Sequence, residues 1–312
     1  MSLPGKDAVS LDWNDRFRPR RQPDRTLRIM TPDDIPAAAA LSGRVGWALG
    51  AADWARLLHW SPDGCFVVEE EERGVIGTVT TTPYDTALAW IGALIVDPDC
   101  QRQGVGRQLM RAALDYLIAR GTARIMLDAT EVGRPLYESM GFRRMHAVER
   151  WEGRASTYLG PRARLMEPDD VPAVLELDTV LFGLKRAHIL IRLLEEFPDL
   201  AWVDHERGRL EGYLLARRTA AGYDLGPWMS WTAASAERLL RAALEQLQGE
   251  QVAANVPDTS ARGLILMRNH NFRRSRRCTR MIYGDGIPIH GEPMAHLAVA
   301  ALEALVLLDR DQ

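Results

Sequence analysis

Asp97-Pro98-Asp99-Cys100-Gln101-Arg102-Gln103-Gly104-Val105-Gly106-Arg107 lies between an apolar run, Ala89 to Val96, and an amphipathic one that begins at Gln108. A strand, a glycine-bearing turn and a helix in that order make a device for holding an anion. Glycine allows positive φ and close backbone approach. The unpaired N–H groups of the first helical turn point at the ligand, aided by the positive end of the helix dipole. Arg102 and Arg107 add charge-assisted donors. The loop is not a Walker loop, since no Gly-Lys-Ser/Thr follows, and Leu109 stands where a dinucleotide fingerprint needs its third glycine.

Downstream, Leu109, Met110, Ala113, Leu114, Leu117 and Ile118 recur at three- and four-residue spacing, with Gln108, Arg111 and Asp115 between them and Gly121 after. This predicts an amphipathic helix with a glycine stop. Arg124 to Ala129 reads as a short buried strand, and Gly133 to Met140 as a short helix halted by Gly141. The alternation argues an α/β layer fold in which helices cover a mixed sheet.

Val96-Asp97-Pro98, then Gln101 to Gly106 as Q-x-x-G-x-G, then Leu136-Tyr137-Glu138-Ser139-Met140-Gly141-Phe142 as L-Y-x-x-x-G-F together resemble the GCN5-related N-acetyltransferase (GNAT) superfamily. The resemblance implies a mixed, mostly antiparallel sheet flanked by helices, with acetyl-CoA as co-substrate and no metal. It implies that backbone amides from Arg102 to Arg107 hold the pyrophosphate, so Gln101, Arg102, Gln103, Gly104, Val105, Gly106 and Arg107 are expected at the nucleotide. The backbone edge of Leu94, Ile95 and Val96 would pair with the pantetheine arm, and one N–H there would polarise the thioester carbonyl. Tyr137 would protonate the departing thiolate. Thr130 stands where many members carry asparagine, and Gly133 and Arg134 follow it at the start of the tyrosine helix. The general base often found on the strand before the loop is missing from Leu88 to Val96. Asp128, Glu131, Asp85 and His59 remain as proton acceptors, and none stands out.

The chain is also written twice. Ile29-Met30-Thr31-Pro32-Asp33-Asp34-Ile35-Pro36-Ala37 recurs as Leu165-Met166-Glu167-Pro168-Asp169-Asp170-Val171-Pro172-Ala173. Arg111 to Leu114 recurs as Arg241 to Leu244, and Phe142 to Arg144 as Phe272 to Arg274. Matches in one order at nearly constant spacing predict two tandem copies of one domain. The expected division is a loosely ordered arm over 1–26, an acetyl-CoA-binding copy over 27–152 and a degenerate copy over 163–312. In the second copy the loop becomes Trp231 to Ala236: both glycines are gone, Arg102 becomes Thr232, Arg107 becomes Glu237 and Tyr137 becomes Met267. One copy is therefore expected to bind the nucleotide, the other to shape the acceptor site.

Bulk properties set bounds. The 312 residues exceed one ordinary domain, and 46% hydrophobic with 26% charged residues is a globular composition. A net charge of −3 gives no global case for nucleic acid. Cys65, Cys100 and Cys278 share no close spacing, which excludes a disulfide framework or zinc ribbon and fits a reducing, cytoplasmic setting. No apolar run is long enough for a membrane span. Arg273, Arg274, Arg276, Arg277 and Arg280 read as an edge strand kept soluble by charge, or as an acidic-ligand site. Trp228 and Trp231 read as core or as a pocket wall. Glu292 to Leu308 reads as an apolar helix buried between the copies or in a homodimer. The expected reaction is N-acetylation of a small-molecule primary amine; the alternatives are acylation of a protein lysine and a non-catalytic acyl-CoA sensor.

Overall fold

The computed structural model describes residues 24–284. The chain before residue 24 and the helix expected at Glu292 to Leu308, with the dimer contact built on it, lie outside the described residues. In the first copy, β1 (Arg25–Ile29) leads through a 3-10 turn into α1 (Ile35–Arg44) and α2 (Ala51–Trp60). The antiparallel strands β2 (Phe66–Glu70), β3 (Gly74–Pro83) and β4 (Ala89–Val96) follow. Next come α3 (Val105–Ala119), β5 (Ile125–Ala129), α4 (Arg134–Glu138) and β6 (Arg143–Arg154).

The second copy repeats the order: β7 (Arg164–Leu165), α5 (Val171–Phe182), α6 (Ala187–Glu196), β8 (Ala201–Glu206), β9 (Arg209–Thr219), β10 (Gly222–Ser230), α7 (Ala233–Gln246), β11 (Gln251–Pro257), α8 (Ala261–Asn269) and β12 (Arg273–Tyr283). The repeated motif has one physical use in both. Arg28 grips Asp34 through two bonds of 2.7 Å, and Arg164 grips Asp170 identically, each fixing the turn that starts the first helix.

All twelve described strands form one sheet, ordered β1-β2-β3-β4-β5-β12-β6-β11-β10-β9-β8-β7. The copies exchange their closing strands. β12 of the second copy inserts antiparallel between β5 and β6 of the first, and β6 pairs in turn with β11 of the second. The edge-strand reading of the arginine run is thereby corrected, because β12 is an interior strand. Acids of other elements take up its charge: Arg274 donates to Glu149 on β6, Arg277 to Asp258 just after β11 and Arg280 to Asp128 on β5. Trp228 is fully buried in core with Trp151, Ala236 and Leu239, and Trp231 packs partly buried against the cluster under α5 and α6.

That cluster is shared between copies. Tyr84, Leu88, Trp90 and Met126 of the first pack with Leu177, Leu181, Ile189, Leu190 and Tyr213 of the second. Tyr84 meets Phe182 edge to face at 5.5 Å, and His188 donates through Nε2 to the Pro83 carbonyl at 3.2 Å. The β3–β4 turn is thus pinned by the second copy. On the opposite face, α3 buries Val105, Leu109, Met110, Ala113 and Leu117 against Ile91, Ile125, Leu127 and Ala129.

Candidate active site

β4 and β5 run parallel, but their pairing ends at Ala89–Ile125 and Trp90–Met126. Beyond that point β4 continues to Val96 paired only with β3, and a wedge opens between β4 and β5. A β-bulge sharpens it: the β3 register slips between Thr78, opposite Ile95, and Thr80, opposite Gly92, leaving Ala93 at φ +46°. Thr78 Oγ1 donates to the Ala93 carbonyl at 2.9 Å and holds the bulge. The outer edge of β4 keeps backbone polar groups that no strand satisfies, which is an edge open to a ligand backbone.

The wedge runs into a cavity of about 740 Å³. Of the residues singled out from sequence, Leu94, Ile95, Val96, Gln101, Arg102, Gly104, Gly106, Arg107, Thr130, Gly133 and Tyr137 line it. Gln103, Val105 and Arg134 are not in the lining. The Gln103 side chain ties the loop to β1 by accepting from Arg25 at 2.6 Å, Val105 is buried in core, and Arg134 faces Glu138 at 3.8 Å. The loop is braced elsewhere too: buried Asp97 accepts from Arg44 and from the Asp99 amide, and Gln101 donates to the Val96 carbonyl at 3.2 Å. Arg107 bridges to Ser139, the residue that ends α4, at 2.9 Å.

Gly104 is the N-cap of α3 at φ +88° and supplies no side chain to the first-turn N–H groups. Those donors and the dipole's positive end face the cavity mouth. The equivalent helix of the second copy starts differently. Thr232 caps α7 by accepting from the Ser235 amide at 3.1 Å, so one of those donors is already satisfied.

Tyr137 sits edge to face with Phe142, ring centroids 6.1 Å apart. Burial pushes its phenol well above the ordinary tyrosine value, and the nearby Cys278 thiol adds to the shift. The phenol therefore keeps its proton throughout the physiological range. Cys278 belongs to β12, so strand exchange brings a second-copy residue to the cavity wall. Trp47, Val45, Trp90 and Val132 also line the cavity and were not singled out from sequence. Their apolar character gives no local signal that separates them from core.

The four acceptors named from sequence separate sharply. His59 and Glu131 are exposed and outside the lining, and Asp85 caps its own turn through the Ala87 and Leu88 amides. Asp128 lines the cavity and receives both Nε and Nη2 of Arg280, at 2.8 and 2.9 Å. No group of three or more metal-ligating side chains occurs among the described residues, and no described helix is long and apolar enough to cross a membrane.

Residues 38–142 match the model of the acetyltransferase (GNAT) family, and residues 174–294 match that of an acetyltransferase (GNAT) domain. The Escherichia coli ribosomal-protein alanine N-acetyltransferase is 30% identical over 124 residues, covering 38% of this chain and 80% of that protein. The uncharacterised N-acetyltransferase YitH of Bacillus subtilis is 28% identical over 199 residues, 62% of this chain and 69% of its own. In fold, the chain resembles a tandem GNAT protein from the clavulanic acid biosynthesis pathway. That likeness has a TM-score of 0.59 at 15% identity and covers 85% of this chain and 99% of that one.

Proposed function

The chain belongs to the GNAT family of acyltransferases in its tandem form, and from that premise we propose that it moves an acetyl group from acetyl-CoA to a primary amine on a small molecule. One observation carries the reading: the uncapped N-terminus of α3 and the splayed edge of β4 open into the same cavity, with the Tyr137 phenol in its wall. The α3 amides, with Arg102 and Arg107, suit a pyrophosphate. The β4 edge from Leu94 to Val96 suits the amide-bearing pantetheine arm, added as a short strand. An amine in the wider part of the cavity attacks the thioester carbon, and a β4 N–H stabilises the oxyanion. As the C–S bond breaks, Tyr137 gives the thiolate its proton, and the proton shed by the newly acylated nitrogen returns to the phenolate through water.

The experiment is a thiol-release assay with acetyl-CoA over polyamines, amino acids, aminoglycosides, aryl-alkyl amines and lysine peptides, with acetyl-CoA binding measured alongside. Turnover with a small amine supports the proposal. Turnover with peptides alone replaces it by protein acylation, and binding with no turnover replaces it by an acyl-CoA sensor. Tyr137→Phe should keep acetyl-CoA affinity and lower kcat by ~100-fold or more.

A further inference from the structure

Asp128 is the one carboxylate among the residues lining the cavity; the other charged side chains there are Arg102 and Arg107 of the phosphate loop. Alternation along β5 fixes its direction. Ile125, Leu127 and Ala129 are buried under α3, while Met126 turns to the opposite face beside Trp90 in the cluster shared with the second copy. Asp128 shares the parity of Met126 and so lies on that face, away from the loop that suits the pyrophosphate. Its side chain is 5% exposed. A carboxylate so far removed from water needs a fixed partner.

The partner comes from the other copy. Arg280 stands directly opposite Asp128 in the β12–β5 register. Its guanidinium makes the paired fork contact and lies 4.8 Å from the centre of the Trp90 ring. The fork uses one lone pair on each carboxylate oxygen and leaves the others for a further donor. Trp90 lies beside the pair, and Trp47 adds a second indole to the lining of the same cavity.

Resting on the acetyltransferase reading above, we propose that Asp128 docks the ammonium group of the acceptor, an amine with an apolar or aromatic body, which gives one proton to water before its neutral nitrogen attacks the thioester. Arg280, delivered by the exchanged strand, is the positioning residue that fixes this carboxylate. The second copy then contributes to acceptor recognition through one side chain.

Phenethylamine is the probe, with initial rates at saturating acetyl-CoA and acetyl-CoA affinity measured separately. Asp128→Asn should raise the KM for phenethylamine at least tenfold and leave the acetyl-CoA Kd within twofold. Arg280→Met and Arg280→Lys should both raise the same KM while leaving the acetyl-CoA Kd within twofold, a split that a merely structural role, which would disturb both, would not give. Because either single change strands a buried charge, the double variant Asp128→Asn/Arg280→Gln serves as the folded control, checked by its thermal unfolding midpoint. A folded double variant with wild-type KM overturns the proposal, as does Asp128→Asn that lowers kcat at unchanged KM. Turnover of other amines but not phenethylamine by the wild type overturns the apolar-body assignment. No turnover or binding of acetyl-CoA by the wild type removes the underlying acetyltransferase reading, and this inference with it.

Discussion

Gly104 has the left-handed backbone that lets the Gln101–Arg107 loop enter α3, and a Cβ built there meets nothing within 4 Å. The cost of Gly104→Ala is therefore backbone strain, about 1–2 kcal/mol, with no packing penalty. Acetyl-CoA affinity should fall further than this stability change explains, because relieving the strain re-aims the first-turn amides. Calorimetric binding beside a denaturant melt separates the two effects. Another residue-scale prediction concerns acid. The Arg28 hydrogen bonds hold the Asp34 carboxyl below the ordinary aspartate range, and those of Arg164 do the same for Asp170. A group lowered in the folded state contributes stability above its unfolded value, and that contribution is lost as the pH falls from about 4 through the lowered value. Asp34→Asn should lower stability at pH 7 and flatten its dependence on pH below 4, read from urea melts across pH. At this scale much was legible in the sequence. The loop glycines and Tyr137 could be singled out because their pattern is local, and the structure brings them to one cavity. Asp128 could not be ranked above Glu131 or His59, because its partner Arg280 lies 152 residues away and only tertiary structure joins them.

The comparison of α3 with α7 is an experiment already made within one chain. Both helices follow a strand, bury one apolar face and hold Ala-Leu repeats at matching positions, yet one opens on an uncapped glycine and the other on a threonine cap. Thr232→Ala should cost about 1 kcal/mol and leave acetyl-CoA affinity unchanged, since the cap serves the fold of the second copy alone. A change in affinity would mean that the second helix start communicates with the nucleotide site. Helices and their starts were readable because caps, glycines and the 3.6-residue period are written locally. Strand partners were not. An alternating strand records which face is buried but not which neighbour lies beside it. Five arginines on β12 looked like an edge because the acids that satisfy them, Glu149, Asp258 and Asp128, sit on elements of the other copy or beyond a helix.

At the scale of the whole molecule, a line of buried charge joins the two copies besides the exchanged strands. Asp53 on α2 accepts from Arg56 at 3.0 Å and from Arg217 on β9 at 2.6 Å. Arg217 continues to Asp224 on β10, and Asp224 to Arg150 on β6. Arg56 also reaches Glu196 on α6 at 2.8 Å. Asp53, Arg56 and Arg217 are each under 5% exposed, so no solvent stands ready to replace a missing partner. Such a chain adds little over a well-packed apolar core, but breaking it is costly because uncompensated charge is left inside. Asp53→Asn removes the carboxylate between two buried guanidiniums, leaving Arg56 to Glu196 and Arg217 to Asp224, and should destabilise by about 3 kcal/mol. The more telling readout is cooperativity. With β12 locked between β5 and β6, neither half can lose its sheet without exposing strand edges in the other. Thermal unfolding should therefore be one transition, followed identically by fluorescence and by loss of acetyl-CoA binding, and Asp53→Asn should move it downward undivided. Two separated transitions in the variant would show that the ion chain, and not the exchanged strands, holds the copies to a common melting point.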